Sequence, residues 1–118
     1  VNQARASKSD AMLVLISPRM FPGRESLLTE LRKRAVPAVF GLGQHVDAGG
    51  LASFGVSINA LFERAAIYVA KVIQGEAPSS VPMEQPSEFD LVVNVKEANE
   101  LGVKIPQSIL MRATRVAR

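Results

Sequence analysis

Three short apolar runs mark the first half of the chain, Ala11–Ile16, Val36–Phe40 and Leu51–Phe54, and the first of them shows no polar alternation. A strand buried on both faces reads this way. Each run stops abruptly, at Ser17-Pro18-Arg19, at Gly41-Leu42-Gly43-Gln44 and at Gly55. Between the first two, Arg24–Ala35 sets Leu27, Leu28, Leu31 and Ala35 on one helical stripe with charges opposite. Strands joined by helices run parallel, and an open parallel sheet takes ligands at the carboxyl ends of its strands. The three endings are therefore expected on one rim, as one wall of a small-molecule cleft. No catalytic group stands out on that wall.

The pattern downstream is as regular. Gly41, Gly43, Gly49 and Gly50 mark a glycine-rich loop, with Gly49-Gly50 as a tight turn needing positive φ. Asn59 has the character of an N-cap, and a helix over 60–74 gathers Leu61, Phe62, Ala65, Ala66, Val69, Val72 and Ile73 before Gly75 ends it. Pro78, Ser79, Ser80, Pro82 and Pro86 make 76–88 an extended connection. A strand over Phe89–Val95, a short helix Glu97–Leu101 closed by Gly102, and a last helix Gln107–Ala113 after Pro106 complete the chain. Residues 1–10 resemble the tail of a helix broken by Ser9-Asp10. The expected class is α/β: a three-layer parallel sheet with helices on both faces.

Composition narrows the function. The 118 residues suit one domain, or one lobe of something larger, and 47% hydrophobic content is ordinary for a globular chain. Five Phe, one Tyr and no Trp imply an aliphatic core. The net charge of +3 is scattered. Arg24, Arg32, Lys33 and Arg34 read as a solvated helix face, and Arg112, Arg115 and Arg118 as a basic end. Neither is the continuous stripe that nucleic acid requires, so no nucleic-acid partner is expected. The absence of Cys excludes disulfides, thiolate metal sites and Cys nucleophiles. No apolar run approaches the roughly 18–20 residues of a membrane span. The opening Val1-Asn2-Gln3, without Met or a signal-peptide profile, reads as a start inside a longer protein.

The tempting chemistry does not assemble. Gly41-Leu42-Gly43-Gln44-His45-Val46 begins like a dinucleotide fingerprint, but Val46 stands where the last glycine is needed, and the acidic residue at the right distance, Glu63, falls inside a helix. Ser53, His45 and Asp47 contain the residue types of a triad, yet His45 and Asp47 are two apart on one loop and no nucleophile elbow is present. A single His without clustered carboxylates is no metal site. His45 reads as a surface or cleft-edge loop residue. No enzyme, metal or cofactor is expected. Ser53-Phe54-Gly55 offers a hydroxyl, a ring face and backbone amides, a mixture suited to small-molecule capture.

Ala48-Gly49-Gly50-Leu51-Ala52-Ser53-Phe54-Gly55 is similar to the AGGLMSYG segment of ABC-transporter substrate-binding proteins. The likeness continues through Arg64–Gly75, Val81–Pro86, Phe89–Lys96, Ala98–Gly102 and Ile105–Ala113, in order and over nearly the whole chain. The resemblance implies the C-terminal part of a two-lobed, periplasmic-binding-protein-like fold. Residues 1–52 would belong to the C-terminal ligand-binding lobe. Residues 53–118 would hold the crossover, a helix packed on the N-terminal lobe, the final strand and the C-terminal helices. The secretion signal and opposite cleft wall would lie upstream.

By position, the resemblance puts the ligand-facing spots on Ser17, Pro18 and Arg19, on Gly41, Gly43 and Gln44, and on Ser53, Phe54 and Gly55. Arg19 suits a ligand carboxylate. Phe54 stands for the usual Tyr, Ala52 for the usual Met, and Thr114-Arg115 for an acidic pair. The implied partners are a small organic solute, amino-acid-like or aromatic, and an ABC permease, in the periplasm or otherwise outside the cytoplasm. Two other readings stand beside this one: the effector-sensing domain of a transcriptional regulator, and a half-protein that binds nothing alone and dimerises through its exposed edges.

Overall fold

The structure is a computed structural model and describes residues 9–18 and 21–117. Residues 1–8 of the helix tail expected over 1–10 and the candidate position Arg19 lie outside those residues. The chain forms two compact units, Val1–Gly55 with Asp90–Arg118, and Val56–Phe89. Five strands, β1 (Met12–Val14), β2 (Ala38–Phe40), β3 (Ala52–Val56), β4 (Phe89–Asn94) and β5 (Arg115–Ala117), form one sheet in chain order. The pairs β1–β2, β2–β3 and β4–β5 are parallel. At β3–β4, Asn94 N–H from the end of β4 bonds Leu51 O at the start of β3, at 2.8 Å, so the outgoing and returning strands run opposite ways. The fold is a mixed α/β sheet, mostly parallel, as the uninterrupted apolar runs imply.

The core forms where α1 (Arg24–Lys33) lies on the sheet. Leu28 and Leu31 of its apolar stripe pack with Val14, Val36, Ala38 and Phe40, all buried. Strand alternation sends Leu13 and its register partner Val39 to the other face, where both are exposed. The remaining helices are α2 (Gly43–Asp47), α3 (Ile58–Ile73), α4 (Val95–Glu100) and α5 (Gln107–Arg112), with a 3₁₀ turn at Pro78–Ser80. Among the described residues, no helix is long and apolar enough to cross a membrane.

Several boundaries differ from the sequence expectation for identifiable reasons. β2 begins at Ala38 because Pro37 has no N–H to donate, although its carbonyl accepts from Met12 N–H at 2.9 Å. α1 stops at Lys33 because Ala35 adopts φ +50° and Val36 N–H closes back on Leu31 O at 3.0 Å. The cap of α3 is Ser57, not Asn59: Ser57 is held extended by its N–H bond to Glu88 O at 2.9 Å, and Leu61 N–H already bonds Ser57 O. Gly75 and Gly102 do end their helices, with φ +99° and +68°.

The expected glycine loop contains a helix, α2. Its cap residue Leu42 makes no side-chain cap bond, so nothing local announces it. Burial of His45 and Val46 and a bond from Arg115 Nη2 to Asp47 Oδ1, 2.6 Å, hold it in place.

The basic face of α1 is also only partly solvated. Lys33 and Arg34 pair with Glu30 at the surface, but Arg32 reaches across to the buried Glu97. Arg32 Nε donates to both Glu97 oxygens, at 3.0 and 2.9 Å, and Nη2 donates to Gly49 O at 2.7 Å. Glu97 N–H in turn bonds Asn94 Oδ1, the cap of α4, at 3.0 Å. The clamp joins α1, the Gly49 turn (φ +104°) and α4.

Arg32→Ala leaves a buried carboxylate unpaired. Because water reaches the Arg32 side, the expected loss is about 1–3 kcal/mol, below that of a fully buried pair. Urea unfolding checks this, and Glu97→Gln, which removes the charge but keeps an acceptor, should cost less. Ala35→Gly should stabilise by about 0.5–1 kcal/mol by relieving the left-handed backbone; an unchanged urea midpoint would show that Ala35 carries no strain.

Candidate functional site

Parallel pairing of β1, β2 and β3 puts their carboxyl ends on one side of the sheet. Beyond β2, Gly41 N–H bonds Val14 O at 3.2 Å, which draws the second tip against the first. A Cβ on Gly41 would fall inside the van der Waals envelope of Ile16 Cγ1. A Cβ on Gly55 would collide with the Gly41 carbonyl oxygen. The tips after Ile16, Phe40 and Phe54 thus meet at Gly41, in backbone contact on one side and against the Ile16 side chain on the other.

Of the candidate residues, Ser17 is half-buried and Pro18 exposed beside this junction in sequence. Gly41 and Gly43 are half-buried, and Gln44, in the first turn of α2, is exposed. Gly43 has room: a methyl there would sit 3.5 Å from Val92 Cγ2 and 3.9 Å from Ser53 Oγ. Strand alternation separates Ser53 from Phe54. Ser53 shares a register row with Phe40, is 1% exposed, and has its hydroxyl under Gly43 without a hydrogen-bond partner among the described residues. Phe54 is 59% exposed on the opposite face. The open part of the rim is therefore Pro18, Gln44 and Phe54, with the two touching glycines between them in the sheet.

His45 is not a surface or cleft-edge residue. It is 4% exposed, stacked on Phe40 with ring centroids 4.8 Å apart, and met edge-on by Phe21 at 6.1 Å. Burial lowers its pKa from the ordinary value, Leu42 opposing and Arg24 adding to the effect. The period of the sequence offered no sign of this, because α2 is one turn long. Ser53, His45 and Asp47 form no triad: Asp47 is engaged with Arg115, and neither His45 ring nitrogen has a hydrogen-bond partner among the described residues.

A separate cavity of about 150 Å³ belongs to the second unit, between α3 and residues 84–88. An Arg64–Glu84 ion pair spans it, with the guanidinium 5.8 Å from the Tyr68 ring centroid. Sequence reasoning singled out no residue of this cluster, whose members are 20 positions apart.

The family described as ABC transporter substrate binding protein matches residues 1–117. The chain belongs to that family. Two solved structures superpose on it with a TM-score of 0.86 each. One is a conserved domain protein from Vibrio cholerae, 31% identical, in which this chain (97% covered) spans 38% of the length. The other is an ABC domain from Streptococcus pneumoniae in complex with L-Trp, 29% identical, with 96% of this chain and 38% of that one covered. A ligand-free, open substrate-binding protein with adhesive properties from Clostridium difficile shares the fold at TM-score 0.68 and 20% identity, over 99% of this chain and 40% of its own. No curated protein matches the chain. This member of the family thus spans well under half the length of the solved structures it resembles.

Gly55→Ala should destabilise by about 1–3 kcal/mol or more, as an overpacked site with a rigid backbone neighbour. Gly43→Ala, where the space is open, should stay within about 0.5 kcal/mol. Paired urea titrations give the contrast, and equal costs at the two positions would refute the tip contact.

Proposed function

We propose that the chain is the C-terminal portion of the solute-binding component of an ABC importer. It captures a small organic solute, amino-acid-like or aromatic, between two lobes and delivers it to a permease outside the cytoplasm. The observation that carries this reading is the convergence of three parallel strand tips at Gly41, since ligands of open α/β sheets bind at such ends. The chemistry of the rim agrees with it. Phe54 supplies an exposed ring face and Gln44 an orienting amide, a mixture suited to holding a small molecule.

On this reading the rim forms one wall, and the other lobe supplies the second. The exposed apolar residues of α3 (Phe62, Val69 and Ile73 among them) pack on that other lobe. Closure then buries the solute between the walls, as in hinge-closing receptors generally. The L-Trp bound to the Streptococcus pneumoniae relative supports an aromatic amino acid as the first probe. The replacement of the expected Tyr by Phe54 removes a hydroxyl, which favours a less polar solute surface at this spot.

The test uses the full-length receptor that contains this chain, titrated with L-tryptophan, then with the other amino acids and aromatic acids, by calorimetry and thermal unfolding. A solute present at 100 times its Kd should stabilise the receptor by about 2.7 kcal/mol. Phe54→Ala should weaken binding about tenfold, the cost of one lost aromatic contact of roughly 1–2 kcal/mol. Absence of a shift with every amino acid and aromatic acid would overturn the assignment of solute class, and full binding by Phe54→Ala would remove the rim from the site.

A further inference from the structure

We propose that His45 is the positioning residue of the rim, and that only its neutral imidazole keeps the entry to α1 and the turn after β2 locked together. Acidification then frees both segments at once. The consequence for solute capture, a receptor that loosens its wall in acid, rests on the function proposed above.

A column of groups surrounds the ring. Arg24 lies over Phe21, 4.7 Å from the ring centroid, and its Nη1 donates to Phe21 O at 3.1 Å. Phe21 stands edge-on to His45, with an interplanar angle of 81°, and His45 stacks on Phe40 at 12°. On the backbone, His45 N–H bonds Leu42 O at 3.2 Å, and His45 O accepts from Gly50 N–H at 2.8 Å. The buried ring thus touches the segment entering α1 and the last residue of β2, while the residue's backbone ties the same point to Leu42 and to the turn that leads to β3.

A proton on this ring is poorly received. It would place a charge where both ring nitrogens lack a hydrogen-bond partner among the described residues. From α1, Arg24 already occupies Phe21 and repels a second cation. β2 contributes the Phe40 ring and no charge, and the nearby Leu42 carbonyl pulls the other way without closing a hydrogen bond to the ring. Asp47, on the same helix, is bonded to Arg115. The face of Phe40 offers some cation–π attraction, which offsets only part of the desolvation. Burial accordingly pushes the His45 pKa down. The sign follows: the opened form, with an ordinary pKa of about 6.5, binds protons more readily, so the lock is complete above that pH and is lost as pH falls through the lowered native value.

Hydrogen exchange read by mass spectrometry, corrected for the intrinsic pH dependence of amide exchange, tests this without any solute, so its outcome is independent of whether the receptor reading stands. In the full-length protein, peptides covering 21–28 and 42–50 should hold constant protection from pH 8 to 7 and lose it together, tenfold or more, by pH 5, while the β4 peptide stays unchanged. His45→Phe, which keeps a stacked ring, should abolish the step. A wild-type rim with constant protection, or a step that persists in His45→Phe, overturns the proposal. Phe21→Leu provides the check should His45→Phe misfold: it should confine the step to 42–50, and loosening of 21–28 in step with 42–50 would refute the coupling.

Discussion

Where β2 gives way to its loop, the backbone of Gly55 lies so close to the Gly41 carbonyl that no side chain fits between them. Parallel strands normally end in loops free to splay, because only the ladder bonds hold them at about 4.8 Å. Here the two chains stay in contact beyond the Phe40–Ser53 register pair, and Ile16 fills the other side of Gly41. The consequence is directional. α2 has to start at once and fold back over the sheet, which buries Val46 and His45, and Phe54 has to turn its ring to the opposite, open face. A side chain at Gly55 would force two backbones apart, whereas one at Gly41 would first displace the exposed Ile16 side chain, so the shape of the rim depends most on the missing side chain of Gly55. Gly55 is also the last residue of its unit before the chain departs into the next.

The ion pairs divide by burial. Glu30 with Lys33 and Arg34 lies at the surface, where the guanidinium and ammonium hold its carboxyl below the usual range, but such pairs contribute little to stability. Arg32 and Glu97 are different. The Glu97 side chain is 6% exposed, so its desolvation is costly, and only the two-oxygen contact with Arg32 together with the packing around it makes that burial tolerable. The net gain over an apolar pair is small. What the clamp supplies is register: α1, the Gly49 turn and α4 have to sit so that one guanidinium serves a carboxylate and a carbonyl together. With Arg115–Asp47 on its other side, α2 is fixed at both flanks while making no cap of its own.

These features explain which parts of the sequence could be read. The strands and α1 were legible because an apolar run free of charges marks a strand, even where one of its faces is open as at Leu13 and Val39, and a one-faced helix leaves a stripe; the rim followed from them by topology. Gly75 and Gly102 were legible as helix stops for a local reason, their backbone conformation. His45 was not. Its burial comes from Phe21 and Phe40, which approach from two different segments, and a one-turn helix leaves too few positions for a period. Arg32 misled for the same reason: on its own helix it is one of several cations, and its partner lies 65 positions away. Asn59 has the chemistry of a cap, but pairing of Ser57 with Glu88 fixes the helix start two residues earlier. Ser53 was singled out for its hydroxyl, and the alternation that exposes Phe54 is what turns that hydroxyl inward.

The second unit poses the sharper physical problem. α3 has no buried residue, although Phe62, Val69 and Ile73 follow one another on a helical stripe and are 72%, 58% and 79% exposed. A helix of this length is marginal in water by itself, and a segment as short as Val56–Phe89 cannot enclose a core. Its polar side is organised, by the Arg64–Glu84 pair beside Tyr68 and by the Ser57–Glu88 backbone bond, but those are exposed contacts of small energy. The stability of α3 therefore has to come from apolar surface supplied by something other than this unit. In a two-lobed receptor that surface is the other lobe, and the demand then has a functional sense. Under the function proposed above, the rim lies in one unit and the uncovered helix in the next, so that the two units face different bodies and the solute is held by both.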